Sequence, residues 1–275
     1  MSLDPLYPFA NQHAIQNALF VLEWKDRLTE KDVRDLKGRI QQRHSAFTVF
    51  KPQKMVVLNL TTGAADGTSP ESSASENGFV FELPGEPMQP ARRTLNVMPE
   101  QCQITINDYS RWSKVKADVD EYVQSIMAVA GANSNSLQAI GLQYTDVWIW
   151  KANPADLNMS EVFNRNSPLL VQNVFNLKSY WHSHHGYFEP MKDVALPPRL
   201  NNINVSRTQQ GELDAINVVT SHRLTLPRLW DLDTPAKKIA LISAVQDEFH
   251  LENKRILRQL LTPGVLKKIK LTATE

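Results

Sequence analysis

Three stretches of the chain carry apolar residues at helical spacing, and the text between them alternates apolar and polar residues in short runs that predict strands. Val33, Leu36 and Ile40 form a stripe over residues 30–43. Thr29 opens that helix, with Asp32 three residues on as a variant of the capping box. Trp112, Val115, Val119, Tyr122, Val123, Ile126 and Val129 mark a second helix over 111–130, with Asp108 or Ser110 as its cap and Gly131 at its end. Thr234-Pro235 starts a third, whose stripe of Ile239, Ile242, Val245, Phe249, Ile256 and Leu260 runs to about 261. Thr262-Pro263-Gly264 breaks it, and a short tail helix follows. Strands are predicted at 15–24, 46–50, 54–60, 78–83, 93–97, 101–107, 137–150, 177–189, 199–207 and 214–225. The longest, LQAIGLQYTDVWIW at 137–150, is the one around which the others are organised. Residues 1–12 are expected as an extended arm, and 153–168 as a loop with a single turn at 160–163.

The order is therefore strand, helix, five strands, helix, four strands, helix. Short links between consecutive strands favour antiparallel neighbours. The chain is predicted to be α+β, with mostly antiparallel sheets and three main helices. In each half a helix leads into a strand meander, which suggests two related α+β sub-domains. The first, 1–107, is a strand-helix-strand meander. The second, 108–275, holds a helix, the long central strand, a meander and the C-terminal helix. Residues 61–77 (TTGAADGTSPESSASEN) bury too little apolar surface to offset their ordering entropy, so a mobile surface loop is expected there.

Composition narrows the partners. Thirty basic against twenty-nine acidic residues leave a net charge of +1, so no global field draws the chain to nucleic acid or anionic lipid. No apolar run approaches the ~20 residues that cross a bilayer, and no basic segment followed by an apolar core opens the chain. The single cysteine, Cys102, excludes an internal disulfide or a multi-thiolate metal site. It shares a strand face with Ile104 and Ile106 and is expected as a small core residue. A cytoplasmic protein without a cofactor or a membrane partner is the expectation.

Candidate chemistry is sparse. A glycine-rich phosphate loop, a G-x-S-x-G elbow, an H-E-x-x-H pair and a kinase signature are all missing from the sequence. That favours a binding surface over covalent chemistry. In WHSHHGY at 181–187, a strand would project His182 and His184 from one face, where two imidazoles could share a metal ion. Asp146, Asp214 and His222 are the candidates to complete such a site. The other reading is a polar sheet face, with His185 opposite, beside Trp181 and Tyr187. Glu23-Trp24-Lys25 has the E-x-K form of metal-dependent nucleases, with only Asp4 upstream to help. Lys254, Arg255, Arg258, Lys267, Lys268 and Lys270 fall in a segment without an acidic residue, suited to phosphate contacts or to a solvated helix end. Six tryptophans supply rings suited to a core or an interface. Arg111, Trp148, Trp150, Trp181 and Tyr187 are the candidate partner-binding residues, most of them expected in the core and no more than two facing a partner.

IGLQYTDVW at 140–148 resembles the GLRY-(I)-(N/D) signature of a sporadically distributed bacterial family of conserved hypothetical proteins. The strand at 14–22, DYSRW at 108–112, WHSHHGYFE at 181–189, LNNINV at 200–205 and residues 250–271 resemble further segments of that family in the same order. Gln143 stands where an arginine is more usual, so an ion pair built on that arginine is not available here. The resemblance implies a bacterial or phage setting and one architecture over the whole length, but it brings no catalytic residues. It suggests a protein that recognises a protein partner or small ligand, with the partner encoded nearby, in toxin neutralisation or phage defence. The alternative is a metal-dependent hydrolase or nuclease using His182 and His184.

Overall fold

A computed structural model describes residues 3–10, 13–57, 73–131, 137–227 and 234–271, with the backbone alone at 54–57 and 73–77. In chain order the first elements are β1 Leu6–Pro8, β2 Ile15–Trp24, α1 Glu30–Arg43, β3 Val49–Val57, β4 Ser73–Leu83, β5 Arg93–Val97, β6 Gln101–Ile106 and α2 Trp112–Ala130. Then come β7 Leu137–Trp150, α3 Met159–Val162, β8 Trp181–Glu189, β9 Arg199–Gln210, β10 Leu213–Thr225, α4 Pro235–Leu260 and α5 Pro263–Lys268. The strands form one ten-stranded sheet in the order β3-β4-β5-β6-β2-β7-β10-β9-β8, with β1 also paired to β7. Every pairing is antiparallel. The α+β class and the central place of 137–150 are as the sequence predicts.

The two halves share a path. From β2 the chain crosses through α1 to the outer edge, returns inward along β3, β4, β5 and β6 until β6 lies beside β2, and then enters α2. From β7 it crosses through residues 151–180 to the opposite edge, returns along β8, β9 and β10 until β10 lies beside β7, and enters α4. The halves meet where β2 pairs with β7, with Phe20 opposite Leu142 and Val21 opposite Gly141. A boundary near 107 thus divides two arms of one continuous sheet.

Period-two alternation assigns the faces. Phe20, Leu22, Phe79, Phe81, Leu95, Ile104, Leu142 and Tyr144 lie buried against Leu36 and Ile40 of α1, Val119, Val123 and Ile126 of α2, and Ile242, Val245 and Phe249 of α4. A second core joins Trp148, Trp150, Trp181, Ile203, Val205, Ile216 and Val218 to Ile256, Leu257 and Leu260 at the other end of α4. All three long helices therefore cover the same face of the sheet. Thr29 caps α1 through a full capping box with Asp32.

Several boundaries differ from the sequence expectation. A single strand, β3, replaces the pair at 46–50 and 54–60, and its Pro52 is tolerated because β3 is an edge strand. Residues 73–77 of the expected loop belong to β4, and 61–72 lie outside the described residues. Gly78, at the register shift between β3 and β4, has φ +150°, and a Cβ there would meet the Val97 carbonyl oxygen at 2.2 Å. The N-terminal arm contains β1. Residues 172–176 form a 3-10 turn, so the strand expected from 177 begins at Trp181. Arg111 is the N-cap of α2 without a side-chain hydrogen bond. The expected cap Asp108 is instead taken by the Arg92 and Arg93 guanidinium groups.

Trp148 is fully buried where the central strand crosses the second core. Trp148→Ala should lower the unfolding free energy by about 3–5 kcal/mol. Val219→Thr, on the face away from the helices, should cost less than about 1 kcal/mol. Urea denaturation followed by far-UV circular dichroism measures both.

Candidate functional site

The face of the sheet turned away from the helices is the candidate site. Its strand positions include Leu19 and Val21 of β2, Gln103 and Thr105 of β6, Gln143 and Thr145 of β7, Asn217 and Val219 of β10, and Asn202 and Asn204 of β9. All are half-buried or exposed. A pleated strand sends alternate side chains to opposite faces, so the residues that fill the core on one side leave this set on the other. The set is mostly amide, hydroxyl and aliphatic. Among the strand positions with described side chains, the charges on this face are Glu23, Lys51, Glu82 and Arg223. They pair off: Arg223 donates to both oxygens of Glu23 at 3.0 and 2.6 Å, and Lys51 meets Glu82 at 2.6 Å. Asn217 Nδ2 donates to Thr208 Oγ1 at 2.7 Å, and the His184 ring meets Asn204 Oδ1 at 2.5 Å. The outcome is a broad, electrically quiet surface able to offer hydrogen bonds and van der Waals contact.

The residues singled out from the sequence fall on different sides of this surface. Trp148, Trp150 and Trp181 are buried in the second core, where β-branched and aromatic neighbours fill the helix side. They are core residues, so no partner touches them in this fold. Tyr187 faces the helix side too, 3.4 Å from Glu252. Arg111 is exposed at the start of α2, apart from the sheet's free face. His182 and His184 do share the open face, opposite Ser206 and Asn204. The residues expected to complete a metal site do not join them. Asp146, Asp214 and His222 are buried on the helix side, and Asp214 is bound to Arg207. Among the described residues no group of three or more His, Cys, Asp or Glu is placed to hold a metal ion. Glu23 of the E-x-K pattern is already committed to Arg223. In the basic segment, Arg255 is bound to Glu252 and Glu189, and Lys268 donates to the Leu6 carbonyl. Cys102 is buried, and burial pushes its thiol up to about 12, so it is no nucleophile.

Beneath the second half of the sheet, between the two apolar cores, runs a belt of buried polar side chains that the sequence did not disclose. Its strand members are Asp146, Thr220, His222, Asn201 and Arg199, and α4 contributes Gln246, His250, Glu252 and Asn253. Thr220 donates to Asn253 Oδ1 at 2.5 Å, and the Tyr144 hydroxyl and His250 Nδ1 share a hydrogen bond at 2.9 Å. His222 Nδ1 donates to Asn201 Oδ1 at 2.7 Å, and its Nε2 is buried without a protein partner. Gln246 has neither amide atom partnered, and one oxygen of Asp146 is likewise bare. Where the belt reaches the sheet edge it becomes ionic. Arg199 binds Glu248, Glu189 and Glu252 at 2.6–2.7 Å, and Arg255 binds Glu252 and Glu189. Burial resists ionisation of Glu252, but the hydrogen bonds from Arg255 and the charges of Arg199 and Arg255 outweigh it and hold the carboxyl below its ordinary range. The signal for this belt was present in α4, where polar residues at 246, 250 and 253 interrupt the apolar stripe at core spacing.

Burial raises Asp146 to about 7 and lowers His222 and His250 to about 3; at His222 the attraction of Glu252 is opposed by Arg199 and Arg255. The two histidines are held neutral, so their contribution to stability is present above their unfolded value of 6.5 and lost as pH falls toward 3. Asp146 works in the opposite direction. Its raised value favours the protonated carboxyl, so its contribution is full below 3.8 and lost as pH rises through 7. Asp146→Asn should therefore be more stable than the parent at pH 8, by up to about 4 kcal/mol, with the gain vanishing near pH 4. Denaturant melts of both proteins across pH 4–8 measure that gap. Arg199→Ala should cost about 3–5 kcal/mol, because it leaves Glu189 and Glu252 to Arg255 alone and takes the guanidinium from Glu248. The same melts at pH 7.5 check it.

No model of a known protein family matches the chain, and no curated protein does.

Proposed function

We propose that this is a non-enzymatic binding protein that recognises a protein partner through the open face of its sheet. The observation that carries the reading is the pairing-off of every described Lys, Arg, Asp and Glu on a face otherwise made mostly of amide, hydroxyl and aliphatic side chains. Phosphate backbones are held by unpaired Lys and Arg, and this face offers neither at its described positions. A neutral, half-apolar surface instead suits a protein interface, where charges are depleted at the centre. The resemblance of 140–148 to a scattered bacterial family adds a setting: a component of toxin neutralisation or phage defence, in the cytoplasm, acting on a partner encoded nearby. The competing reading, a metal-dependent hydrolase or nuclease, rests on His182 and His184 sharing that same face.

A photo-crosslinking residue placed at Val219 should capture a protein in bacterial cells, whereas one at Leu251, exposed on α4, should not. Gln143→Lys combined with Val219→Lys should abolish the crosslink while leaving the melting temperature within a few degrees. An adduct removed by nuclease, or equal labelling at both positions, would sink the reading. Stoichiometric zinc or manganese in untagged protein, lost on His182→Ala, would establish the metal enzyme in its place.

A further inference from the structure

The two edges of the sheet are built differently. β3, at one end, carries Lys51 and Pro52, residues of the kind that blunt an edge against further pairing. β8, at the other end, is nine residues long, WHSHHGYFE, and has no Lys or Pro. It pairs with β9 on one side, and among the described residues no strand pairs with it on the other. Its outward N–H and C=O groups form an open row. Alongside that row, between Ser183, His184 and His185 of the strand and residues 167–172, lies a cavity of about 340 Å³. Leu169, Leu170 and Val171 supply its apolar wall, and no Asp, Glu, Lys or Arg lines it. Val171 of that wall is 52% exposed, and Phe188 farther along β8 is 70% exposed.

We propose that the free edge of β8 accepts an extended, uncharged peptide segment of a partner protein as an added strand, with one of its apolar side chains seated in this cavity. This specifies the partner of the open-face reading and rests on it. Main-chain hydrogen bonds along an edge select an extended backbone, and a pocket beside the edge selects one side chain from it. The cavity is large enough for a leucine- to phenylalanine-sized group. The lack of a charged lining excludes an acidic or basic anchor, which would be left unpaired. His184 contributes a polar group beside the edge, its Nδ1 donating to Asn204 Oδ1. A second copy of this chain is a poorer occupant. Symmetric β8–β8 pairing centred on 183–185 would bring residues 167–172 of both copies onto the same short stretch of edge.

The test uses the full-length chain. A displayed library of random nonapeptides is selected on immobilised protein, and the most enriched nonapeptide is synthesised with a fluorophore. Uncharged sequences with alternating apolar residues should be enriched. The labelled nonapeptide should slow hydrogen exchange at residues 182–186. Val171→Glu and His184→Glu, both at exposed positions, should each weaken its binding at least tenfold, while Leu251→Lys, exposed on α4, should leave it unchanged. The inference falls if nothing is enriched over blank support, if charged peptides win, if protection appears elsewhere, or if both glutamate variants bind as the parent does. It falls equally if sedimentation shows a dimer that Val171→Glu dissolves, because a second copy would then occupy the edge. The open-face reading fails separately, when the Val219 crosslink is absent, so the two failures are told apart.

Discussion

The antiparallel pairing of Ile15–Trp24 with Leu137–Trp150 is what the rest of the molecule depends on. It joins strands more than a hundred residues apart, so its loop-closure cost falls on the whole first half of the chain. Once made, it leaves each half with only local work, because every remaining strand is reached by a meander or a single crossover. β7 has no bare edge over most of its length. β2 and then β1 cover one side of it, and β10 covers the other from Ala139 to Trp150. The same join is repeated one layer up, where α2 meets α4. Trp112 stacks on His250 at 4.2 Å and donates to Asp247, and Lys116 reaches Ser243. A seam sealed in both layers makes the two halves one body despite their repeated path.

From that seam follows the inequality of the two faces. All three long helices pack on one side of the sheet, and among the described residues none of them covers the other, where Val147 and Ala215 are nonetheless buried. An uncovered antiparallel face ordinarily alternates toward charged residues. Here the alternation stops at amides, hydroxyls and small aliphatics, and the four described charges neutralise one another in place. Solubility alone would not select such a face, since dispersed Lys and Glu serve that purpose better. The proposed partner-binding role calls for such a face.

Much of this was legible before any coordinates. The period-two run at 137–150, the Thr29–Asp32 cap and the Thr234-Pro235 start each depend on residues close in sequence, and each stands in the structure. So does the shared face of His182 and His184. What failed depended on register across strands or on contacts distant in sequence. Asp108 is a good cap by position, as is Ser110, yet Arg92 and Arg93, just before and at the start of β5, claim Asp108. Asp146, Asp214 and His222 have the right chemistry for a metal site with the histidine pair, but the pleat sends them through the sheet to the other side. Trp148, Trp150 and Trp181 are amphipathic enough for an interface. Their strand parity decides for the core, and parity becomes visible only once the buried face is known. Nothing local revealed that Lys51 and Pro52 mark one edge while β8 is left bare at the other.

The ionic end of the polar belt bears on that bare edge. Five charged side chains, Glu189, Arg199, Glu248, Glu252 and Arg255, knot the last residue of β8 and the first of β9 to the middle of α4. Buried ion networks of this kind add little net stability over an apolar filling of the same volume, because desolvation offsets most of their attraction. Their contribution is directional: each guanidinium accepts only a narrow set of carboxylate positions. An edge strand anchored on one side alone would otherwise fray, since half its backbone groups hydrogen-bond to water. At the far end of the same strands, Arg207 clamps Asp214 and donates to the Lys178 and Pro154 carbonyls, tying the 151–180 segment beside β8. The outermost strands are thus held at both ends by charge-assisted contacts. What stays free between the two clamps is the stretch of backbone at Ser183–His185, already straight and already extended, so a partner strand meeting it has little ordering left to impose.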